Sequence, residues 1–127
     1  MSTTYNLFVY GTLRRGFHNH GLMKNAKHIC DGTTLDRMRL VVHSGHGIPF
    51  TWKDDCGHPL RGEFYEIQKE DIKPIHYMEV SAGYDAEWVS IILDNGRISL
   101  AIVYLYPLTE NKFFIDVPQC DYSMYNK

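Results

Sequence analysis

The sequence predicts a single α+β domain over residues 1–127, in which a mostly antiparallel sheet partly closes into a β-barrel accompanied by two short helices. Three observations predict this class. Strand-length segments recur along the chain, only two stretches have helical spacing, and an Asp94-Asn95-Gly96 turn joins the last two strands. A chain of 127 residues can bury one sizeable core but is short for two.

The N-terminal part is expected to contain a strand, a loop, a short helix and two more strands. The apolar residues 7–10 stop at Gly11, which is typical of a buried strand that enters a turn. Apolar positions within residues 19–27 share one helical face and predict a short helix. Further strands are expected near residues 28–32 and 37–43.

The middle of the chain predicts a loop, a turn, a strand and a second helix. Residues 44–49 are rich in Gly and Pro and predict a loop, while residues 54–57 carry Asp and Gly at a turn. Residues 60–67 alternate as in a half-buried strand. A helix is expected within residues 70–78, starting near Lys73, because proline is best tolerated in a first turn.

The C-terminal part contains the clearest hairpin. Its strands are expected over residues 87–93 and 98–106, and Asn95-Gly96 favours a tight primed turn with positive φ angles. The aromatic tail at Tyr122–Tyr125 has no periodic pattern, and we expect it to pack as a terminal segment.

Composition and charge exclude several classes of partner and compartment. A net charge of −2 argues against binding to nucleic acid or to an anionic membrane surface. The longest apolar runs have the length of strands, far below the ~20 residues that span a bilayer. The three cysteines form neither a Cys-x-x-Cys motif nor a disulfide framework, and no signal-peptide pattern begins the chain. We therefore expect a cytoplasmic protein.

Several segments together carry a family resemblance. Residues 7–16, Leu-Phe-Val-Tyr-Gly-Thr-Leu-Arg-Arg-Gly, resemble the signature strand and turn of the γ-glutamylcyclotransferase-like (AIG2-like) family. Residues 18–20, His-Asn-His, are similar to its γ-glutamylamine cyclotransferase branch. Residues 60–67 resemble the family's Gly-Glu-Val-Tyr strand, and residues 75–79 followed by Tyr84 resemble its helix. These landmarks occur in the family's order and reach most of the chain.

The resemblance implies an enzyme of the acyltransferase or lyase type that needs no cofactor and no metal. Its small-molecule substrate would be a γ-glutamyl amine or amide. The α-amine of the glutamyl unit attacks its own γ-carbonyl, 5-oxoproline closes and a free amine leaves. Because nucleophile and electrophile belong to one molecule, holding it in a curled shape can supply an effective molarity of ~10⁵ M or more.

Glu79 is implied as the general acid/base. It would take a proton from the α-ammonium and deliver it to the leaving amine, which requires a pKa raised toward neutrality by burial. The resemblance alone singles out this carboxylate. By composition, Glu63, Glu66, Glu70 and Glu87 are equally available.

The turn after the first strand is implied as the substrate-binding segment. Glycine lets a backbone approach a ligand closely, and consecutive N–H groups can bind an anion. The resemblance assigns the glutamyl carboxylate to Tyr10, Gly11, Thr12 and Leu13, and it places Tyr84 in the pocket wall. The same turn would hold the oxyanion.

A catalytically inactive binding or protein-interaction module is the alternative. His76, Val80 and Ala86 stand where the family has Asp, Gly and Arg, and these departures favour the alternative. The position of Glu79 distinguishes the two hypotheses. A buried Glu79 that faces the Tyr10–Leu13 turn favours the enzyme, and a solvated one favours the binder.

The histidine and cysteine motifs favour solvated side chains over metal or thiol sites. His43-x-x-His46 lacks the Glu and the i, i+4 spacing of a hydrolase zinc site. Cys56, followed by His58, is a candidate thiol nucleophile, but it lies in a predicted turn. It is therefore a weaker candidate for a catalytic residue than Glu79. The sequence therefore predicts no metal site and no thiol chemistry.

Overall fold

One mixed sheet of seven strands makes up most of the computed structural model, which describes residues 3–107 and 111–125. The strands are β1 Thr4–Val9, β2 Lys27–His43, β3 Pro49–Lys53, β4 His58–Gln68, β5 Asp85–Leu93, β6 Ile98–Leu105 and β7 Phe114–Asp116. The α-helices in this part of the chain are α1 Lys69–Ser81 and α2 Tyr122–Tyr125, with 3₁₀ turns at His20–Met23 and Pro118–Cys120. No helix among these described residues has the length and apolar character needed to cross a membrane.

Five of these strands close into a barrel in the order β2-β4-β1-β6-β5. Closure comes from the end of β5, which pairs with β2 opposite Gly32, Thr33 and Thr34. The β1–β6 pair is parallel and the other pairs are antiparallel, while β3 and β7 extend the sheet from β2. The predicted α+β class, with a mostly antiparallel and partly closed barrel, is confirmed.

Strand β2 is 17 residues long, whereas the sequence predicted two strands near residues 28–32 and 37–43. The predicted break was wrong because β2 changes partners along its length, pairing with β4, β5, β3 and β7 in different stretches. Its ladder with β4 shifts register between His28 and Cys30, and again after Thr33. Such irregularities bend a strand without ending it, so β2 can wrap around the barrel.

Helix α1 begins at Lys69, earlier than the predicted start near Lys73. Pro74 therefore lies inside the helix, where it removes the N–H that would bond to the carbonyl of Glu70. Glu70 is exposed, so water can satisfy that carbonyl. The fully buried side chain of Ile75 holds the helix on the sheet, and this packing outweighs the local cost of the proline.

Two local segments differ in conformation from what the sequence predicted. The first predicted helix, residues 19–27, forms only the 3₁₀ turn His20–Met23. The hairpin between β5 and β6 is confirmed, but its turn is not primed, because Gly96 has a positive φ of 91° and Asn95 does not. A three-residue loop that ends in a left-handed glycine also matches the twist of a hairpin.

Alternation along β1 places its side chains in two different cores. Phe8 belongs to the barrel interior together with the adjoining Tyr10, whereas Leu7 and Val9 pack outside the barrel beneath α1. Ile75 of α1 belongs to the outer core. This arrangement brings the C-terminal half of α1 next to the end of β1, where the chain leaves the sheet.

The C-terminal tail packs against the domain, as predicted. Tyr122 is buried, and its hydroxyl donates to the carbonyl of Gly47 at 2.8 Å. The guanidinium of Arg14 donates to the carboxylate of Asp121, also at 2.8 Å. The tail therefore connects the loop after β1 with the loop before β3.

We predict that Gly62→Ala destabilises the barrel by about 1–3 kcal/mol, the usual cost of overpacking. A Cβ at this position of β4 would lie 2.5 Å from the carbonyl oxygen of Val9 and 2.6 Å from the ring of Phe8. Gly21→Ala is the matched control, because nothing lies within 4 Å of its Cβ position. Urea unfolding measures both, and equal stabilities of the two variants would contradict the prediction.

Candidate active site

A pocket of about 210 Å³ opens at the end of β1, between the loop after this strand, the loop before β3 and the C-terminal half of α1. Most of its wall is apolar, and Glu79 is the one carboxylate among the described residues that line it. All six residues singled out in the sequence lie in its wall: Tyr10, Gly11, Thr12, Leu13, Glu79 and Tyr84.

The turn after β1 leaves three consecutive backbone N–H groups unpaired. The carbonyl of Gly11 accepts from the N–H of Arg14, and that of Thr12 accepts from Asn19, both at 3.0 Å. The N–H groups of Gly11, Thr12 and Leu13 donate to none of the residues that the structure describes. Because unpaired backbone donors require an acceptor, these three can bind an anionic group in the pocket.

Gly11 is required by packing. A Cβ here would lie 2.5 Å from Cγ of Pro49, closer than real Cβ atoms come to a neighbour. Pro49 is held in place by Tyr84, whose hydroxyl donates to the Pro49 carbonyl at 2.6 Å. From the sequence, the only reason to expect a glycine here is that it lets the backbone approach a ligand closely. The sequence contains no signal that two loops distant in the chain meet here.

Glu63 anchors the turn to β4. Its buried carboxylate accepts from the backbone N–H of Arg15 (3.1 Å), from Nε of Arg14 (3.4 Å) and from the hydroxyl of Tyr65 (2.9 Å). A buried charge is stable only when it is paired and hydrogen-bonded, and this one is. The sequence analysis did not predict that Glu63 anchors the turn. The available signal was a glutamate directly before the apolar pair Phe64-Tyr65, inside a strand that is mostly buried.

Glu79 has the opposite surroundings. It is half-buried in the pocket wall, and its carboxylate accepts no hydrogen bond from any residue in the described ranges. Burial raises its pKa from the ordinary 4.5 to about 7. The other carboxylates that the sequence left open, Glu66, Glu70 and Glu87, are exposed. Of the candidates, Glu79 is therefore the carboxylate with the burial and freedom that proton transfer requires.

Three tyrosines surround the carboxylate of Glu79. Burial raises the pKa of Tyr10, Tyr84 and Tyr104, and the negative charge of Glu79 raises each of them further. The hydroxyl of Tyr10 donates to the carbonyl of Tyr104 at 2.7 Å, as that of Tyr84 does to Pro49. Both phenols therefore use their proton within the protein, so in the pocket they can only accept hydrogen bonds.

The three substitutions relative to the family pattern, at positions 76, 80 and 86, lie away from this pocket. His76, Val80 and Ala86 are exposed and are absent from its wall. His76 contacts the pocket indirectly, because its Nδ1 lies 2.9 Å from the hydroxyl of Tyr104. Since Glu79 lines the same pocket as the Gly11–Leu13 turn, its position favours the enzyme over the binding module.

The histidines of the loop before β3 close that loop. The rings of His43 and His46 stack at 4.0 Å, and each Nδ1 accepts a backbone N–H two residues further on. Within residues 3–107 and 111–125, no three His, Cys, Asp or Glu side chains are grouped so as to hold a metal ion.

Similar proteins of known sequence or structure point to one family. The family model described as gamma-glutamyl cyclotransferase, AIG2-like, matches residues 7–124. A Methanocaldococcus jannaschii protein, provisionally named a gamma-glutamylcyclotransferase, is 37% identical over 103 residues, which are 80% of this chain and 83% of its own.

A relative and a solved structure, both from mouse, extend the comparison. The Mus musculus gamma-glutamylaminecyclotransferase is 34% identical over 74 residues, covering 54% of this chain and 50% of its own. The chain thus matches about half the length of that relative. The crystal structure of a Mus musculus AIG2-like protein superposes with a TM-score of 0.77 at 25% identity, covering 87% of this chain and 82% of that one.

The raised pKa of Glu79 predicts a pH-dependent stability. A carboxyl group with a higher pKa when folded stabilises the fold fully below its unfolded pKa and loses this contribution as pH rises through its folded pKa. Between about pH 4.5 and about pH 7, the free energy of unfolding of the native chain should therefore fall relative to that of Glu79→Gln.

Urea unfolding across this pH range measures the difference. Glu87→Gln, which removes an exposed carboxylate, should follow the native curve. Parallel curves for the native chain and Glu79→Gln would contradict the raised pKa.

Proposed function

Because the chain belongs to the gamma-glutamyl cyclotransferase, AIG2-like family, we propose that it releases 5-oxoproline and a free amine from a γ-glutamyl amine or amide. One observation carries the proposal. The free carboxylate of Glu79, with its pKa near 7, shares a pocket with three unpaired N–H groups of the Gly11–Leu13 turn. A proton-transfer group and an anion site are the two parts that this reaction needs.

The turn binds the glutamyl unit. Its α-carboxylate accepts hydrogen bonds from the N–H groups of Gly11, Thr12 and Leu13, which have no acceptor in the described protein. The anchor at Glu63 and the packing of Pro49 hold this turn rigid before substrate arrives. Pre-organised donors lose little entropy when the ligand binds, and this supports them as the primary binding element.

Glu79 transfers the proton. The ionised carboxylate takes a proton from the α-ammonium, and the freed amine attacks the γ-carbonyl, forming the C–N bond of the five-membered lactam. The oxyanion formed on the carbonyl oxygen is stabilised by the same turn, whose three N–H groups are shared between it and the α-carboxylate. The protonated Glu79 then delivers this proton to the leaving nitrogen as the original C–N bond breaks. The attacking nitrogen carries one further proton after the new bond forms, and it passes this proton through Glu79 to the released amine, so the products are the neutral lactam and the protonated amine. A pKa near 7 suits a group that acts first as base and then as acid.

The reaction requires no cofactor, because the attacking amine and the carbonyl belong to the same substrate. The enzyme's task is to hold the curled conformation, which can contribute ~7 kcal/mol or more to lowering the barrier. Ile48, Met78 and Ala82 form an apolar side of the pocket, and His18 and Asn19 complete it. These residues surround the leaving amine, and the resemblance of residues 18–20 favours γ-glutamylamines as substrates. The free cysteines Cys30, Cys56 and Cys120 are consistent with a reducing cytoplasm.

We predict that Glu79→Gln lowers the rate of 5-oxoproline release by about 10²- to 10⁴-fold, the usual contribution of a general acid/base. Glutamine keeps the size of the side chain, so binding of a γ-glutamyl amine should persist and can be measured by calorimetry. Mass spectrometry of 5-oxoproline across a panel of γ-glutamyl amines and dipeptides measures the rate. In the native enzyme, kcat/KM should rise with pH through about 7 as Glu79 ionises.

Glu70→Gln, which changes an exposed carboxylate of the same helix, should retain the native rate. Undiminished activity of Glu79→Gln would reject the role of this residue. Absence of release from every member of the panel would reject the reaction itself.

A further inference from the structure

A second cavity of about 510 Å³ lies between α1 and the outer face of β1, β5 and β6. Tyr5, Ala86 and Ile102 line it on the sheet side, and the ring of Tyr104 forms a wall shared with the pocket of Glu79. We call this cavity the outer groove. Its volume is within the range of small-molecule sites, which are mostly apolar and carry a few polar groups.

Helix α1 contributes a cationic stripe to the outer groove. Lys69, Lys73, His76 and Val80 follow each other at steps of three or four, and Tyr77 lies four residues after Lys73, so all five lie on one side of the helix. Two lysines four residues apart repel each other. Neither Lys69 nor Lys73 forms an ion pair with a residue that the structure describes. No Asp or Glu of the described part of the chain lines the groove.

The acidic residues of the first turn do not relieve this charge within the groove. Asp71 faces the other side of α1, where it accepts a hydrogen bond from Asn25. Glu70 is exposed and lies outside the lining. The end of the groove near Lys69 and Lys73 therefore carries two lysines that form no ion pair with the described residues, beside apolar surface.

The rest of the outer groove is mostly apolar, and some of its apolar side chains are exposed. Tyr77 is 76% exposed and Val80 48%, although both are large hydrophobic residues. The patch continues along the sheet to Trp88, which is 56% exposed and pairs with Ile102. Contiguous apolar surface of this kind marks a binding site more often than isolated exposed residues do.

The departures from the family pattern meet in this groove. His76, Val80 and Ala86 all line it, although they are spread over eleven positions of the sequence. An acidic side chain at position 76 would neutralise the stripe, and an arginine at position 86 would fill the sheet side. Here His76 supplies no carboxylate, Val80 adds apolar surface and Ala86 leaves the sheet side open, so the groove has lysines at one end and apolar residues at the other.

We propose that the outer groove is a second binding site, distinct from the pocket of Glu79, for a small organic anion with an aromatic or aliphatic body. The carboxylate or sulfonate of the ligand pairs with Lys69 and Lys73, and its apolar body lies on Tyr77, Val80 and Ile102. This site does not depend on the proposed reaction, because its residues take no part in proton transfer or in binding the glutamyl unit.

The probe is 8-anilinonaphthalene-1-sulfonate, which joins a sulfonate to an aromatic body and becomes fluorescent when bound. It should saturate one site on the native chain, and Lys69→Gln/Lys73→Gln should weaken its binding by about 10-fold or more. Val80→Glu, which places a negative charge in the groove, should have the same effect. Lys24→Gln/Lys27→Gln removes two exposed lysines elsewhere and should leave the affinity unchanged. The uncharged analogue N-phenyl-1-naphthylamine should bind the Lys69/Lys73 variant as it binds the native chain.

Three results would overturn the proposal. The first is absence of saturable binding to the native chain. The second is unchanged affinity in Lys69→Gln/Lys73→Gln, with stronger binding to Glu79→Gln, which would assign the probe to the other pocket. The third is a dimer in sedimentation that Val80→Glu abolishes, which would assign the groove to a second copy of the chain.

Discussion

The buried carboxylate of Glu63 is the interaction on which the site depends. Removed from water, it requires several donors, and it finds them on the loop after β1 and on Tyr65 of its own strand. This requirement fixes the loop against β4 and keeps its neighbouring N–H groups free for the pocket. Arg14 donates to Asp121 as well as to Glu63. The same guanidinium therefore links the turn both to β4 and to the C-terminal tail.

Two glutamates in one small domain show how surroundings assign a role to the same functional group. Glu63 is fully satisfied by hydrogen bonds and serves as an anchor. Glu79 is partly removed from water and has no compensating donors among the described residues. Its pKa therefore rises to about 7, and the carboxyl keeps its proton to near neutral pH. Composition cannot distinguish the two, because the difference arises only when distant segments fold around each side chain.

The sequence predicted the elements whose conformation depends on neighbouring residues. Alternation and glycine placement predicted β1, β4 and the β5–β6 hairpin, and the six residues that the resemblance singled out all lie in the wall of one pocket, while their roles stay predictions. Tertiary packing overruled the rest. Ile75 keeps α1 helical on both sides of Pro74, and β5 completes a barrel that holds β2 in one piece. The contact of Gly11 with Pro49 joins segments 38 residues apart, and no local signal reports it.

Helix geometry explains why departures from a family motif need not alter its active site. Successive residues of an α-helix are rotated by about 100°, so Glu79 and Val80 face different cavities although they are adjacent in sequence. The motif around Glu79 therefore contains two superimposed patterns, one facing the pocket of Glu79 and one facing the outer groove. Substitutions at positions 76, 80 and 86 belong to the second pattern. The pocket can keep the family's chemistry while the groove on the other face of α1 changes.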